Sequence, residues 1–220
     1  MAGASTFRHV ELPDEVAVQV VAGHSEAISH AYSLMSQAVM NLAYRMLGDR
    51  QLAEEVLQDT FVDLLEKSAQ IREAGAIKGW VRTVAVNHCL MKLRSPWHAR
   101  RNTDAADEEV FHHADLTVQM GEMTSSAVMQ SAMAALQPDS RVVLWLHEVE
   151  GYTHKEIGQL MGKTSSFSKS QLARAYDKLL GWRNSLERKD SLERNNSLER
   201  QQPNAVSNKQ ENVVNLAKCT

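Results

Sequence analysis

The chain has 220 residues, of which 43% are hydrophobic, 23% charged and 5% aromatic, enough for one large or two small domains. No segment reaches the roughly 18 to 20 consecutive apolar residues of a membrane span, and the first residues lack the order of a signal peptide, so we expect a cytoplasmic protein. The net charge of −3 disfavours a protein that coats nucleic acid through bulk charge, and two distant cysteines indicate no disulfide framework.

Apolar residues recur at spacings of three and four, which predicts an almost entirely helical chain. After a weakly patterned extension at 1–23, helices are predicted near 26–47, 51–68, 78–94, 126–136, 140–150, 153–161 and 165–182. Gly48 and Gly151 stand where a left-handed residue would close a helix, and Thr153 followed by Glu156 fits a capping box. Residues 184–220 repeat Ser-Leu-Glu-Arg at a six-residue period that does not align the leucines, so we predict a disordered, low-complexity tail.

The charges of the chain fall into alternating blocks. Residues 49–73 hold seven acids against three bases, whereas residues 74–103 hold six bases and no acid. Residues 104–140 hold seven acids and no Lys or Arg, and positive charge returns over 141–183. We therefore predict an all-α fold of two small helical domains, 24–101 and 124–183, joined by a flexible acidic linker at 102–123.

Residues 153–179 have the layout of a helix-turn-helix, with a short capped helix, a turn at 161–163 and a longer second helix. Small or hydrogen-bonding side chains open the second helix and could approach base edges and phosphates: Ser165, Ser166, Ser168, Lys169, Ser170, Gln171 and Arg174. On spacing alone, a plain helical hairpin is an equal alternative.

Two further helices differ sharply in charge. The helix at 51–68 places Ala53, Val56, Leu57, Thr60 and Leu64 on one arc and mostly carboxylates on the other. Such an acidic face is either ordinary solvated surface, the more common case, or a docking face for a basic partner. In the helix that follows, the absence of acid over thirty residues favours a polyanion close by.

Two stretches carry a resemblance to a known family. Residues 42–94 resemble the second conserved domain of bacterial RNA polymerase sigma factors of the extracytoplasmic-function group, and residues 136–182 resemble the fourth domain. The motifs are Leu47-Gly48-Asp49, Gln58-Asp59-Thr60-Phe61 and the segment from Trp80 to Asn87. The resemblance implies a transcription initiation factor that binds core RNA polymerase, recognises a two-part promoter and promotes melting, without enzymatic activity, cofactor or metal ion.

The resemblance also assigns three sets of site residues. Docking on the clamp helices of the largest polymerase subunit falls to Glu54, Glu55, Gln58 and Asp59. Capture of the single-stranded minus-ten element falls to Lys78, Trp80, Arg82, Asn87, Lys92 and Arg94. Recognition of the minus-thirty-five duplex falls to Thr153, Ser166, Lys169, Ser170 and Arg174, although Ser168 stands where the family usually has an apolar residue.

Further partners implied by the resemblance are the flap of the second-largest polymerase subunit and an anti-sigma factor, which could hold the protein at the inner membrane. The tail or a covalent modification is an alternative means of regulation. The rival function is a helix-turn-helix regulator that binds duplex DNA without polymerase, usually as a dimer. No residues match a nucleophile or phosphate-loop motif. The adjacent pair His112 and His113 is only a weak signal for a metal site, so we expect no metal ion.

Overall fold

The computed structural model describes residues 6–95 and 125–201. Every regular element within these ranges is helical, as the periodicity predicted. The α-helices are α1 Asp14–Val21, α2 Ser25–Leu47, α3 Arg50–Lys67, α4 Ile77–Arg94, α5 Ser125–Ala134, α6 Pro138–Leu144, α7 His154–Met161 and α8 Ser165–Gln201. Short 3₁₀ turns lie at Phe7–His9, Ser68–Gln70 and Ala74–Ala76, and a π turn at Trp145–Val149 continues α6. No helix of the described ranges is both long enough and apolar enough to cross a membrane.

Helices α2, α3 and α4 pack around one apolar core. Its fully buried side chains include Met35, Leu42 and Met46 from α2, Val56 and Leu64 from α3 and Val81 from α4. Gly48 ends α2 in the left-handed conformation at φ 71°, as predicted, and the carboxylate of Asp49 caps α3 by accepting from the Leu52 N–H at 3.2 Å. The predicted apolar arc of α3 faces this core, which leaves its carboxylates on the outer side.

The N-terminal extension is more ordered than the sequence pattern predicted. Phe7 and Val10 are buried, and so are Val16, Ala17 and Val20 of α1, all within the core that α2 to α4 form. Residues 6–23 of the predicted extension therefore pack against the domain whose start is predicted at residue 24. The helical signal was missed because α1 has only eight residues, fewer than the window in which helical periodicity can be recognised.

Helices α5 to α8 form the C-terminal part of the described chain. Val142, Val143, Leu146, Ile157 and Ala175 are buried at its centre. The capping box is confirmed, since the Glu156 N–H donates to Thr153 Oγ1 at 3.3 Å and the Thr153 N–H donates to Glu156 Oε2 at 2.8 Å. The predicted layout of a short capped helix, a glycine turn and a longer second helix is therefore present.

Helix α8 continues beyond its predicted end at Trp182. The prediction of a disordered tail is wrong for residues 184–201, which are helical. No glycine or proline occurs between Gly181 and Pro203, and Leu, Glu, Arg and Lys of the repeats are strong helix formers, so the helix propagates without a break. The chain divides into two compact units after Leu179. Residues 202–220 and the predicted acidic linker lie outside the described residues.

Gly158 lies within α7 and packs directly against the backbone of the turn that precedes α8. A Cβ atom at this position would lie 2.9 Å from the carbonyl carbon of Thr164 and 3.0 Å from the oxygen of Lys163, and both are backbone atoms. We expect Gly158→Ala to lower the free energy of unfolding by about 1 to 3 kcal/mol, as overpacking does, because backbone cannot rotate aside. Gly181→Ala is the control, since no atom lies within 4 Å and alanine favours a helix by about 1 kcal/mol. Denaturant unfolding followed by circular dichroism measures both, and an unchanged midpoint for Gly158→Ala would contradict the close approach.

Candidate functional site

The outer side of α3 presents the predicted docking residues as one acidic face, which we define as Glu54, Glu55, Gln58 and Asp59. All but the half-buried Glu55 are exposed. Arg50 donates from Nε to Glu54 Oε1 at 2.9 Å, one turn along the same helix. The buried arc on the opposite side of α3 packs against the core and keeps this face turned outward.

Lys92 lies beside the acidic face although the sequence analysis placed it with the strand-capturing cations. Its Nζ donates to Glu55 Oε2 at 2.7 Å and lies 3.6 Å from Asp59 Oδ2. The hydrogen bond with Glu55 raises the pKa of Lys92 above its usual value. Lys92 therefore neutralises part of the acidic face in this conformation and joins α4 to α3.

The other predicted minus-ten residues all lie on α4, and we call this set the cationic face: Lys78, Arg82, Arg94, Trp80 and Asn87. At 100° per residue, Lys78 and Arg82 lie on a different side of α4 from Asn87 and Arg94. Lys78 Nζ donates to the carbonyl of Val10 at 3.2 Å. Arg82 Nη1 donates to the carbonyl of Glu150 at 3.1 Å, and Arg94 Nη2 donates to that of Leu160 at 2.7 Å. Trp80 packs against the core, and Asn87 is exposed.

Asp63, Lys67 and His88 form a polar cluster that the sequence analysis did not single out. His88 Nε2 and Asp63 Oδ2 lie 2.8 Å apart, and Lys67 donates to the other carboxylate oxygen. The spacing of Asp63 and Lys67 at i and i+4 was a visible signal, but the contact with His88 depends on how α4 packs on α3.

This cluster predicts a specific dependence of stability on pH. Hydrogen bonding to Lys67 lowers the pKa of Asp63, so its contribution is complete above the unfolded value of about 3.9 and is lost as the pH falls through the lower folded value. We expect Asp63→Asn to cost up to about 1 kcal/mol at pH 7, the upper range for partly exposed pairs, and to cost progressively less below pH 4. Thermal melts over this pH range, with Asp177→Asn as the control, measure the difference, and a cost independent of pH would contradict the assignment.

The second helix of the helix-turn-helix, at the start of α8, displays four of the predicted duplex-contacting residues. Ser166, Lys169, Ser170 and Arg174 are all exposed, and so is Thr153 at the start of α7. Ser168 and Gln171 differ from this expectation because they are buried. Gln171 accepts a hydrogen bond from Ser140 at 2.7 Å, which ties α8 to α6 and removes its side chain from the exposed surface.

Ser168 takes part in a contact that explains why a polar residue can occupy this core position. Its Oγ lies 2.9 Å from Nδ1 of His154, and the His154 ring stacks on that of His147 with centroids 4.3 Å apart. Burial, and then the electrostatic interaction with His147 and Lys169, lowers the pKa of His154, which favours the neutral imidazole. The sequence signal for this contact is the polar Ser168 at a position that is usually apolar in the family. Its partner, His154 of α7, is identified only by the packing of the two helices.

The comparisons with known proteins match both parts of the chain. The family model for sigma-70 region 2 matches residues 31–99, and the model for sigma-70 region 4 matches residues 126–179. We accordingly call residues 6–95 the region 2 domain and residues 125–179 the region 4 domain.

Two curated relatives agree with the family models. The ECF RNA polymerase sigma factor SigM of Mycobacterium tuberculosis is 25% identical over 181 residues, covering 81% of this chain and 89% of the relative. The ECF RNA polymerase sigma factor SigE of Mycolicibacterium smegmatis is 26% identical over 152 residues, which span 64% of this chain and 55% of that protein, about half its length. The sigma factor RpoE from Bartonella quintana, solved with the anti-sigma factor NepR, is 20% identical with a TM-score of 0.49, covering 69% of this chain and 92% of RpoE. The chain belongs to the extracytoplasmic-function group of bacterial RNA polymerase sigma factors.

Proposed function

We propose that this sigma factor directs core RNA polymerase to promoters through the three sets of residues described above, and that it catalyses no reaction itself. The observation that carries the proposal is the presence of an acidic face, a cationic face and an exposed recognition helix on separate helices of one chain. Each has the charge or side-chain chemistry that its proposed partner requires.

The acidic face would dock on the clamp helices of the largest polymerase subunit. Complementary charge guides such an encounter and fixes its register more than it sets affinity. Glu54, Gln58 and Asp59 are exposed for this contact. Lys92, paired with Glu55 and Asp59, would have to leave these carboxylates if it is to contact DNA, so we assign it to the docking side in the free protein.

The cationic face would hold the non-template strand of the minus-ten element. Lys78, Arg82 and Arg94 supply charge for phosphates, and the exposed Asn87 offers a donor and an acceptor to a base edge. A base turned out of the stack can be recognised in this way without reading a groove. Trp80, packed against the core, would support the helix more than contact the strand.

The recognition helix would read the minus-thirty-five duplex in the major groove. Lys169, Ser170 and Arg174 lie along one exposed side of α8, and Thr153 and Ser166 flank them at the adjoining helix starts. The flap of the second-largest subunit would hold this domain at the correct distance. An anti-sigma factor is the regulator we expect, and we propose a cytoplasmic protein that associates with the nucleoid when active.

In vitro transcription tests the function directly. Purified core polymerase is given a promoter library with and without the protein, and start sites are mapped. We expect a set of starts that appear only when the protein is added. The alternative of an independent regulator would require that no start depends on the protein while it shifts duplex DNA without polymerase. The match of residues 31–99 to region 2 disfavours that alternative.

A further inference from the structure

The cations of the cationic face are already bound to acceptors within the chain. Arg82 and Arg94 donate to the carbonyls of Glu150 and Leu160 in the region 4 domain, and the Arg82 guanidinium lies 4.7 Å from the centroid of the Tyr152 ring. Lys78 donates to the carbonyl of Val10. Val10 belongs to residues 6–23, which we call the N-terminal segment. A DNA strand would need the same N–H groups for its phosphates.

The region 4 domain contacts the region 2 domain at a second place. Arg141 donates from Nη2 to the carbonyl of Leu47 at 3.3 Å, beside the end of α2. Arg45 of α2 lies 5.9 Å from the centroid of the Trp145 ring, and Gln130 donates to the Tyr44 hydroxyl. We define the junction as these contacts together with those of Arg82 and Arg94.

The junction is costly to bury. Among the described residues, seven buried side-chain atoms have no hydrogen-bond partner, and all belong to junction residues: Arg45, Arg82, Arg141, Trp145, Glu150 and Tyr152. Native interiors satisfy nearly all such groups, and each exception carries a desolvation penalty. The polar groups of the junction would regain hydration if the two domains separated, which lowers the free energy that opening requires.

Glu150 is the centre of the junction. It is 3% exposed, and neither carboxylate oxygen makes a well-formed hydrogen bond among the described residues. Burial raises the pKa of Glu150, and the charge of Arg82, a weaker hydrogen-bonding interaction with Trp145 and the charge of Arg8 oppose that rise. Arg8, from the N-terminal segment, lies against the next residue, since a Cβ on Gly151 would meet its Nη2 at 2.5 Å. Two cations of the region 2 domain, Arg82 and Arg8, therefore stabilise the charge of this buried carboxylate.

We propose that the free protein is closed by this junction, with the region 4 domain and the N-terminal segment together occupying the cationic face, and that single-stranded DNA opens it by competing for Arg82, Arg94 and Lys78. Capture of the strand and release of the region 4 domain are then one event. The proposal rests on the proposed function for the identity of the DNA partner. Thirty residues, 95–124, connect α4 to α5, a contour length of about 100 Å when extended, so opening requires no break in the fold of either domain.

Distance measurements on the full chain, without polymerase, test the closed form. Spin labels are placed at Ser33→Cys in α2 and Lys155→Cys in α7, both exposed, in a Cys219→Ser background with the buried Cys89 retained. We expect one narrow, short distance for the otherwise unmodified protein. Adding short single-stranded DNA of random sequence should give a longer and broader distribution of distances. The substitutions Glu150→Lys and Arg8→Glu should each have the same effect without DNA. Arg8 lies outside the region 4 domain, so Arg8→Glu still tests the closed form if Glu150→Lys unfolds that domain.

Affinity for the same single strands gives a second readout. If the closed form is 90 to 99% populated, Glu150→Lys should bind about 10- to 100-fold more tightly, because the penalty for opening is removed. Glu148→Lys is the matched control, since it makes the same charge change on a carboxylate that accepts from Tyr176, at 2.7 Å within the region 4 domain. Three results would overturn the proposal. The first is a broad distance distribution without DNA, and the second is a short distance that neither the variants nor DNA lengthen. The third is an equal gain in affinity for Glu148→Lys and Glu150→Lys. Failure of core-dependent initiation with these shifts intact would instead contradict the proposed function and leave the closed form standing.

Discussion

Reversing the charge of Asp59 should abolish transcription from every promoter that depends on this sigma factor. Asp59 is an exposed residue of the acidic face, so an arginine there would place like charges against a basic docking partner. Such juxtaposition costs several kcal/mol, which corresponds to a loss of about 100-fold or more in affinity for core polymerase. Transcription assays and a direct binding assay with core polymerase should show the same loss.

The control for this reversal is Glu11→Arg, which makes an equal charge change at an exposed position outside α3. The fold of Asp59→Arg itself should survive, because the cation beside Asp59 is the partly exposed Lys92 of α4 and surface charge pairs contribute at most about 1 kcal/mol. Circular dichroism checks this. Normal initiation by a folded Asp59→Arg variant, or an equal defect in Glu11→Arg, would remove Asp59 from the docking surface.

Removing Lys169 and Arg174 together should affect only promoters with a minus-thirty-five element. Each exposed side chain can reach a base edge or a phosphate from the recognition helix, and such contacts contribute about 1 to 3 kcal/mol apiece. We therefore expect the double alanine variant to lose about 30-fold or more of its activity at these promoters while binding core polymerase normally. Competition with mutated upstream elements separates the two side chains, because a base contact changes the preferred sequence and a phosphate contact weakens all sequences alike.

Arg188→Ala serves as the control for the double variant. Arg188 is an exposed arginine fourteen residues further along α8, beyond the helix-turn-helix. Transcription by Arg188→Ala should equal that of the unmodified protein. Unchanged promoter selectivity in the Lys169 and Arg174 variant would show that the recognition residues lie elsewhere in the region 4 domain.

Local signals predicted most of the helices and the exposed faces. The left-handed glycine at Gly48, the capping box of Thr153 and the apolar arc of α3 depend on residues close in sequence, so their structural consequences could be worked out from the chain alone. The helix over 184–201 was missed because repeat composition was weighed above intrinsic helix propensity. The periodicity of the repeats excluded a coiled-coil seam, but it did not exclude a helix.

Contacts between distant residues could not be predicted in this way. The resemblance assigns Lys92 to the strand-capturing residues, whereas its position beside Glu55 follows from the packing of α4 on α3. The junction around Glu150 joins residues 68 positions apart, Arg82 and Glu150, and no periodicity connects them. Sequence patterns therefore predicted which residues are charged and exposed on each helix, and tertiary packing decides which of those charges are already paired.

The hydrogen bond between Ser168 and His154 limits how promoter specificity can be transplanted. A recognition helix grafted from a relative with an apolar residue at position 168 would remove the hydrogen bond that joins Nδ1 of the half-buried His154 to α8. A hydrogen bond of this kind contributes about 1 kcal/mol, so the crossing of α7 and α8 would be weakened even if every base-contacting residue were copied correctly. The exchangeable unit in this protein is the pair of helices, and chimaeras should carry residues 154 and 168 together.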